Sequence, residues 1–190
     1  MILPIRAFGD AVLRKHCHEI DQDYPQLKEL ISNMFETMES AHGIGLAAPQ
    51  IGLDIRLFVV DLSPLSDDED YAELAEEFKN FRKVLINAKI LEETGNEWKF
   101  NEGCLSIPEV REDVKRKETI TIEYFDENFV KHTDTFSDMR ARVIQHEYDH
   151  IEGILFTDHL SSLKKKLVKG KLMKISQGEV SVNYKMRFPK

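Results

Sequence analysis

The sequence predicts an α+β fold, with antiparallel β-sheets packed around a central helix. Residues 24–40 and 137–152 carry helix signals, and residues 180–188 alternate apolar with polar side chains. The helices do not alternate regularly with the short strands predicted between them. This order favours an α+β fold over a parallel sheet with crossover helices.

Residues 24–40 show the clearest helical pattern. Apolar side chains recur there three and four positions apart, which places them on one face of a helix. They are Leu27, Leu30, Ile31, Met34, Phe35 and Met38. Pro25 suits the first turn of this predicted helix.

The central helix is predicted to begin near Ser137 or Asp138, because both residues are good N-caps. We expect it to run to about Glu152, where Gly153 provides a C-terminal signal. Residues 160–168 are predicted to form a third helix.

Strands are predicted where β-branched and aromatic residues cluster or alternate with polar ones. The segments are residues 51–61, 84–91, 119–125, 129–136 and 180–188. A turn at residues 126–128 would make the third and fourth segments an antiparallel pair.

Length and composition predict a single domain over residues 1–190. The net charge of −8 argues against a protein that coats DNA or RNA. No apolar run is long enough for a membrane helix, and two cysteines cannot form a disulfide framework. The N-terminal residues also lack the pattern of a signal or transit peptide. We therefore expect a protein of a reducing compartment.

Charge is distributed unevenly along the chain. Residues 63–80 carry seven acidic side chains before their first basic one and are predicted to be a solvated surface insertion. The C-terminal segment, about residues 160–190, is basic: from Asp158 onward there are nine Lys or Arg and two acids. Such a surface suits ribosomal RNA, but it equally suits a helix with a solvated outer face.

The segment Gln145–His150 contains the pattern His-Glu-x-x-His. On a helix, His146 and His150 leave the same face, so both imidazoles can bind one metal ion. Glu147 would lie beside that ion as a general base. The alternative is a pair of surface histidines on an acidic helix, although apolar residues around this face predict burial.

A catalytic metal site needs a third protein ligand, and its identity distinguishes the alternatives. Phe156 stands where a metzincin protease would have a histidine. No downstream acid is an attractive ligand for a thermolysin-like site; the acids are Glu152, Asp158 and Glu179. Cys104 is a stronger candidate, because a thiolate binds divalent first-row metals well. Cys17, which lies between two histidines, is interpreted as a chance arrangement.

The segment Gly43–Gln50, with the sequence GIGLAAPQ, is predicted to be an ordered loop. Its small residues would let the backbone approach a ligand, and Gln50 offers an amide donor. It lacks the lysine and the spacing of a phosphate-binding loop. A tight core-packing turn is the alternative interpretation.

Three motifs together resemble those of the peptide deformylases: GIGLAAPQ at residues 43–50, EGCLS at 102–106 and QHEYDH at 145–150. They occur in the family's order and without departure from its pattern, and the N-terminal stretch that begins at Leu3 is also similar. The resemblance covers the chain apart from residues 63–80 and about the last fifteen. It implies removal of the formyl group from the N-terminal formyl-methionine of new bacterial polypeptides, with release of formate.

The resemblance also implies the roles of the motif residues. One metal ion, normally Fe(II) with Zn, Ni or Co as replacements, would be bound by Cys104, His146 and His150. Glu147 would take a proton from a water in the open position, and the resulting hydroxide would attack the formyl carbon. The Gln50 amide and the Leu105 backbone N–H would stabilise the oxyanion.

A substrate cleft follows from the same resemblance. Its predicted lining residues are Gly43, Ile44, Gly45, Glu102, Gly103, Arg111, Met139 and Val143. The apolar members would contact the methionine side chain, and the peptide backbone would pair with the loop as an added strand. Arg116 is expected to pair with Glu102 in support of the Cys104 loop. Arg142 stands on the same helix face, where the family usually has an apolar residue.

Two other functions remain as alternatives. An endopeptidase would cleave internal amide bonds and use a third ligand other than Cys104. A structural-metal or redox-sensing protein would need a fourth ligand and would not need Glu147. For a deformylase, the expected partners are formyl-methionyl nascent peptides and the ribosome, with neither DNA nor membrane, and the expected location is the bacterial cytoplasm.

Overall fold

The computed structural model describes residues 1–189, in which α-helices and mainly antiparallel strands confirm the predicted α+β class. The helices are α1 (Leu27–Ser40), α2 (Ala75–Lys79), α3 (Asp138–Ile151) and α4 (Ser162–Ser176). The strands are β1 (Ile5–Arg6), β2 (Gly45–Ala47), β3 (Leu57–Asp61), β4 (Arg82–Cys104), β5 (Ile107–Phe125), β6 (Lys131–Ser137) and β7 (Met186–Arg187). Within these 189 residues, each helix is too short or too polar to cross a membrane.

The main sheet has five antiparallel strands in the order β2-β3-β4-β5-β6. Its largest feature is the β4–β5 hairpin, which pairs from Ile86 opposite Phe125 to Cys104 opposite Ile107. The sequence predicted only the two ends of this hairpin, residues 84–91 and 119–125. The outer part, from residue 92 to residue 118, was missed because residues 92–97 are all exposed and because two of the buried positions beyond them are the charged Glu102 and Arg116.

The second sheet consists of β1 and β7, paired in parallel with Ile5 opposite Met186. The strand predicted over residues 180–188 is therefore wrong except at Met186 and Arg187. Side chains from 180 to 187 do alternate between partly buried and exposed, as an extended chain on a surface requires. However, only the short β1 lies beside this segment as a hydrogen-bonded neighbour, so the pairing ends after two residues.

The helices differ from prediction mainly at their ends. Helix α1 begins at Leu27, so Pro25 precedes its first turn. Helix α3 begins at Asp138, whose carboxylate accepts a hydrogen bond from the Arg140 N–H at 2.9 Å. Helix α4 continues to Ser176, well beyond the predicted end, since Gly170 meets no neighbouring group and the apolar side chains continue past it.

Two predicted strands begin later than expected. The segment 51–61 forms a strand only from Leu57, because a 3₁₀ helix occupies Ala48–Ile51. The segment 129–136 becomes β6, which starts at Lys131 after a turn around Phe129.

The acidic segment 63–80 contains two 3₁₀ helices followed by α2. Most of its acids are exposed, but Phe78 is fully buried and its ring lies 5.4 Å from that of Tyr71. The segment is therefore anchored to the core through its apolar residues. Its status as an insertion within one domain stays a prediction.

Helix α3 is the central helix of the fold. It contacts β2, β3, β5 and β6, and nine of its residues are buried. Apolar positions such as Ala141, Ile144 and Ile151 join the core cluster between this helix and the sheet. The opposite part of the helix carries the histidine motif toward the tip of the β4–β5 hairpin.

Candidate active site

Helix α3 and the end of β4 bring one thiol and two imidazoles together. His146 and His150 lie one turn apart on α3, and Cys104 is the last residue of β4. Their ligand atoms all lie within 4.8 Å of one another, and Cys104 Sγ is 3.3 Å from His150 Nε2. Such a cluster of one sulfur and two nitrogen donors matches a catalytic metal site with three protein ligands.

The state of these donors also fits a divalent ion. His146 uses Nδ1 to contact Glu102 at 2.9 Å, which leaves Nε2 available for a metal. Burial opposes ionisation of Cys104, but His150 and His146 outweigh it and lower the pKa of the thiol to about 5. At neutral pH the sulfur is therefore a thiolate, the form that binds metals.

Glu147 points into the same site and is 3% exposed. Burial raises the pKa of its carboxyl to about 7, which suits a group that both accepts and returns a proton near neutral pH. Its Oε2 is buried without a hydrogen-bond partner among residues 1–189. A buried carboxylate oxygen in this state is ready for an incoming donor, such as a water or an amine.

The backbone of β2 lies directly against Glu147. A Cβ atom on Gly45 would fall 2.4 Å from Glu147 Oε1. Only glycine therefore allows the loop and the carboxylate to occupy their observed positions. The sequence predicted a close approach of this loop to a ligand, whereas the structure shows a close approach to the proposed general base.

Gln50 is held in the 3₁₀ helix after β2. The Ala47 N–H donates to its Oε1 at 2.8 Å, which turns its NH₂ group toward Cys104. Nε2 lies 3.5 Å from Cys104 Sγ and 3.3 Å from Ser106 Oγ. Ser106 was missed as part of this site, although the EGCLS motif contains it.

Glu102 is the centre of a buried ion-pair network. It accepts hydrogen bonds from Arg116 at 2.8 and 3.1 Å and from Arg142 at 2.9 Å, besides its contact with His146. Burial opposes ionisation of Glu102, but the hydrogen bonds from His146 and Arg116 outweigh it and hold its pKa well below the ordinary value. The network thereby fixes the orientation of the His146 ring.

Two members of this network were not expected from the sequence. Arg142 lines the cavity, but its guanidinium bonds to Glu102 and Trp98 O and stacks 4.2 Å from the Trp98 ring centroid. Asp149 bonds to Arg116 and His159, each at 2.7 Å. Asp149 occupies a variable position inside the His-Glu-x-x-His pattern, and that place is its only sequence signal.

A cavity of about 780 Å³ opens over Cys104 and His146, two of the three candidate ligand residues. All eight residues predicted to contact substrate line it: Gly43, Ile44, Gly45, Glu102, Gly103, Arg111, Met139 and Val143. Leu105, in the turn between β4 and β5, also lines it. Lys171 and Tyr184 reach the same cavity from the C-terminal segment, where no motif had pointed to them.

A model of the polypeptide deformylase family matches residues 2–166. The chain belongs to the peptide deformylase family. It is 63% identical over 190 residues to the peptide deformylase of Christiangramia forsetii, covering all of this chain and 97% of that one. It is 60% identical over 189 residues to the peptide deformylase of Flavobacterium johnsoniae, covering 99% of this chain and 96% of that one.

Solved peptide deformylase structures have the same fold. The enzyme of Legionella pneumophila superposes with a TM-score of 0.79 at 35% identity, covering 94% of this chain and 98% of that one. The enzyme of Thermus thermophilus gives a TM-score of 0.79 at 38% identity, covering 95% and 100%. This member of the family is a hydrolase that removes the formyl group from the N-terminal formyl-methionine of nascent polypeptides. The family is metal-dependent, which agrees with the cluster of ligand residues.

Proposed function

We propose that this deformylase holds Fe(II) through Cys104, His146 and His150 and uses Glu147 as its general base. The observation that carries this assignment is the cluster of one thiol and two imidazoles, whose ligand atoms lie within 4.8 Å of one another, beside the buried carboxylate of Glu147. Zn, Ni or Co would fit the same mixed set of donors. Metal analysis of protein purified without oxygen, together with formate release from the same sample, tests which ion supports turnover.

A bound divalent ion would act as a Lewis acid on the attacking water and the formyl oxygen. Glu147 would take the proton of this water and later deliver it to the departing amine. The Gln50 amide, oriented by Ala47, and the Leu105 N–H would donate to the oxyanion of the tetrahedral intermediate. Glu102 would keep the His146 ring in place throughout, because it is itself held by two arginines.

The substrate would enter the cavity as an added strand. β2 lies at an edge of the five-stranded sheet, so one side of Gly45–Ala47 has no neighbouring strand within it. An extended peptide can pair there while its methionine side chain packs against Ile44, Met139 and Val143. Arg111, which lines the outer cavity and bonds to Asn101, would contact residues beyond the methionine.

Two variants test the metal and base assignments separately. Glu147→Gln should retain the metal and lose at least about 100-fold in turnover of formyl-Met-Ala-Ser, because the proton acceptor is removed. Cys104→Ala should lose the metal, whereas the matched control Cys17→Ala should keep it, since Cys17 is buried away from the site. Full metal content in Cys104→Ala would contradict the ligand assignment and favour the endopeptidase interpretation. Full turnover in Glu147→Gln would contradict the general-base role.

We also propose that the basic surface of α4 contacts the ribosome and that the enzyme works in the bacterial cytoplasm. Lys165, Lys166 and Lys169 are exposed along this helix, beside the exposed Leu163 and Leu167. Positive charge on an exposed helix is attracted to the RNA phosphates of a ribosome. Replacing these three lysines by Glu should reduce co-sedimentation with ribosomes at low salt, and unchanged co-sedimentation would contradict the proposal.

A further inference from the structure

The turn that carries the proposed oxyanion donor is held from two sides. It consists of Leu105 and Ser106, between Cys104 at the end of β4 and Ile107 at the start of β5. The Tyr184 hydroxyl donates to Leu105 O at 2.8 Å. The Phe8 N–H donates to Ser106 O at 2.8 Å. Both carbonyl groups of the turn therefore have a partner from outside the hairpin.

These two donors come from opposite ends of the described chain but from neighbouring segments. Phe8 follows β1 by two residues, and Tyr184 precedes β7 by two residues. β1 and β7 are paired, and further bonds join Ile5 N to Lys185 O at 2.8 Å and Ala7 N to Arg187 O at 3.0 Å. Because Ile5 lies opposite Met186 in this parallel pair, Tyr184 approaches the turn from one end of the two-stranded sheet and Phe8 from the other.

The Tyr184 ring is also fixed by packing. It contacts the apolar cluster that contains Ile5 and Leu46, and Leu105 contacts the same cluster. One edge of the ring lines the catalytic cavity. A phenol is protonated at neutral pH, so the hydroxyl is available as a donor to Leu105 O.

The position of the turn matters because a small displacement of an oxyanion donor is costly. A donor acts only when it lies within hydrogen-bond distance of the developing negative charge. The turn is two residues long, and Leu105 lines the cavity whereas Ser106 is fully buried. The partners of its two carbonyl groups limit how far the turn can move. Tyr184 and Phe8, which supply those partners, therefore help to set the distance between the Leu105 N–H and the oxyanion.

We propose that Tyr184 is a positioning residue for deformylation. The β1–β7 sheet places its hydroxyl against the Leu105 turn, and the hydrogen bond to Leu105 O keeps the Leu105 N–H within reach of the oxyanion. The proposal rests on the role of Leu105 given under the proposed function. It adds a contribution from a part of the chain that lies beyond residues 2–166, the range matched by the family model.

Tyr184→Phe tests the proposal, because it removes the hydroxyl and keeps the ring that packs against the cluster. We expect kcat to fall about tenfold while KM for formyl-Met-Ala-Ser changes less than twofold, since ground-state binding does not need the oxyanion donor. Amide hydrogen exchange should become faster in the peptide that covers residues 103–108. Metal content should be unchanged, because Cys104, His146 and His150 are not altered.

Tyr124→Phe is the matched control. Like Tyr184, Tyr124 uses its hydroxyl as a hydrogen-bond donor, to Asp134 at 2.7 Å, but it is buried in the β5–β6 pair, outside the cavity. Its loss should leave kcat and the exchange of residues 103–108 unchanged. Thermal unfolding gives the Tm of each variant. The kinetic comparison is then made at a temperature at which both variants are fully folded.

The outcomes separate this inference from the function on which it rests. A lower kcat together with faster exchange in Tyr184→Phe supports the positioning role. Unchanged kcat and unchanged exchange would overturn the inference and leave the role of Leu105 intact. Faster exchange with unchanged kcat would overturn the inference and also count against Leu105 as the oxyanion donor.

Discussion

Gly45 places the backbone of β2 where any side chain would collide with Glu147. The carboxylate oxygen and a methyl carbon added at Gly45 would be 2.4 Å apart, far less than van der Waals contact allows. A substitution would therefore displace either Glu147 or β2, the edge strand proposed to pair with the substrate. Either displacement changes catalysis rather than metal binding.

Gly45→Ala should lower kcat/KM at least about 100-fold while the bound metal stays near one per chain, because the metal ligands are untouched. Gly170→Ala is the matched control. A Cβ at Gly170 meets no atom within 4 Å, and alanine is the better helix former, so this variant should keep full activity and gain about 0.5–1 kcal/mol of stability. Equal activity of the two variants would contradict the proposed collision.

Arg142 shows why some site residues cannot be assigned from the sequence. Its position four residues before His146 indicates the shared helix face, but not the direction of a long, flexible side chain. That direction depends on Glu102, Val114 and Trp98, which lie 28 or more residues away along the chain and meet Arg142 only after the hairpin folds. Cys104, His146 and His150 were easier to predict as a cluster, because their residue types and the spacing of the two histidines are typical of metal sites.

Arg142→Met should lower the free energy of unfolding by about 2–3 kcal/mol, since a buried carboxylate loses one of its charged donors. Arg140→Met is the control on the same helix. Arg140 pairs locally with Asp138 and is partly exposed, so its replacement should cost less than about 1 kcal/mol. Urea denaturation of the two variants measures the difference, and similar losses would argue against a special role for the Glu102 network.

At the scale of secondary-structure elements, the predictions succeeded where one face of an element is buried. α1 and α3 show the helical spacing of apolar residues and were recognised close to their true ends. The outer part of the β4–β5 hairpin was missed because residues such as Glu92 and Glu93 are exposed. Their backbones pair with β5, but their side chains do not show the apolar alternation that would predict a strand. β7 was overextended for the opposite reason, since its side-chain alternation is real but its hydrogen-bonded neighbour is short.

The join between β3 and β4 should make stability depend on pH. Asp61, at the end of β3, is buried and pairs with Arg82 at the start of β4. Burial opposes its ionisation, but hydrogen bonds from Ser63 and Arg82 outweigh it and lower its pKa below 3.8. Because the folded pKa is depressed, the stabilisation is complete above the unfolded pKa and is lost as the pH falls through the folded one.

We therefore expect Asp61→Asn to reduce stability by about 1–2 kcal/mol at pH 7 and by progressively less below pH 4. Asp67→Asn, an exposed acid in the neighbouring segment, should have little effect at either pH. Chemical denaturation at a series of pH values compares the two variants. A loss for Asp61→Asn that does not shrink in acid would contradict the ion-pair explanation.

At the scale of the whole molecule, metal binding should be linked to folding. The three proposed ligands come from β4 and from α3, which are far apart in sequence and meet only in the native fold. An ion that binds this arrangement and not the unfolded chain stabilises it according to its concentration relative to Kd. The same reasoning predicts one cooperative transition if residues 1–190 form a single domain.

Removal of the metal with a chelator should lower the Tm of the wild-type protein, by an amount equivalent to about 4 kcal/mol where the ion had been present at 1,000 times its Kd. Cys104→Ala should unfold at the same temperature with and without chelator, because it holds no ion to remove. Calorimetry and circular dichroism should report the same single transition. If the chelator leaves the Tm of the wild-type protein unchanged, the result would contradict metal binding in the native fold.

The parallel pairing of Ile5–Arg6 with Met186–Arg187 has a consequence for biosynthesis. The first of these strands leaves the ribosome early, whereas its partner is made only after the hairpin, α3 and α4. The small sheet, and the support that Tyr184 would lend to the hairpin turn, can form only after Arg187 has emerged. A newly made molecule would thus assemble the rest of its site first and become fully competent to process other nascent chains only once the second strand had paired.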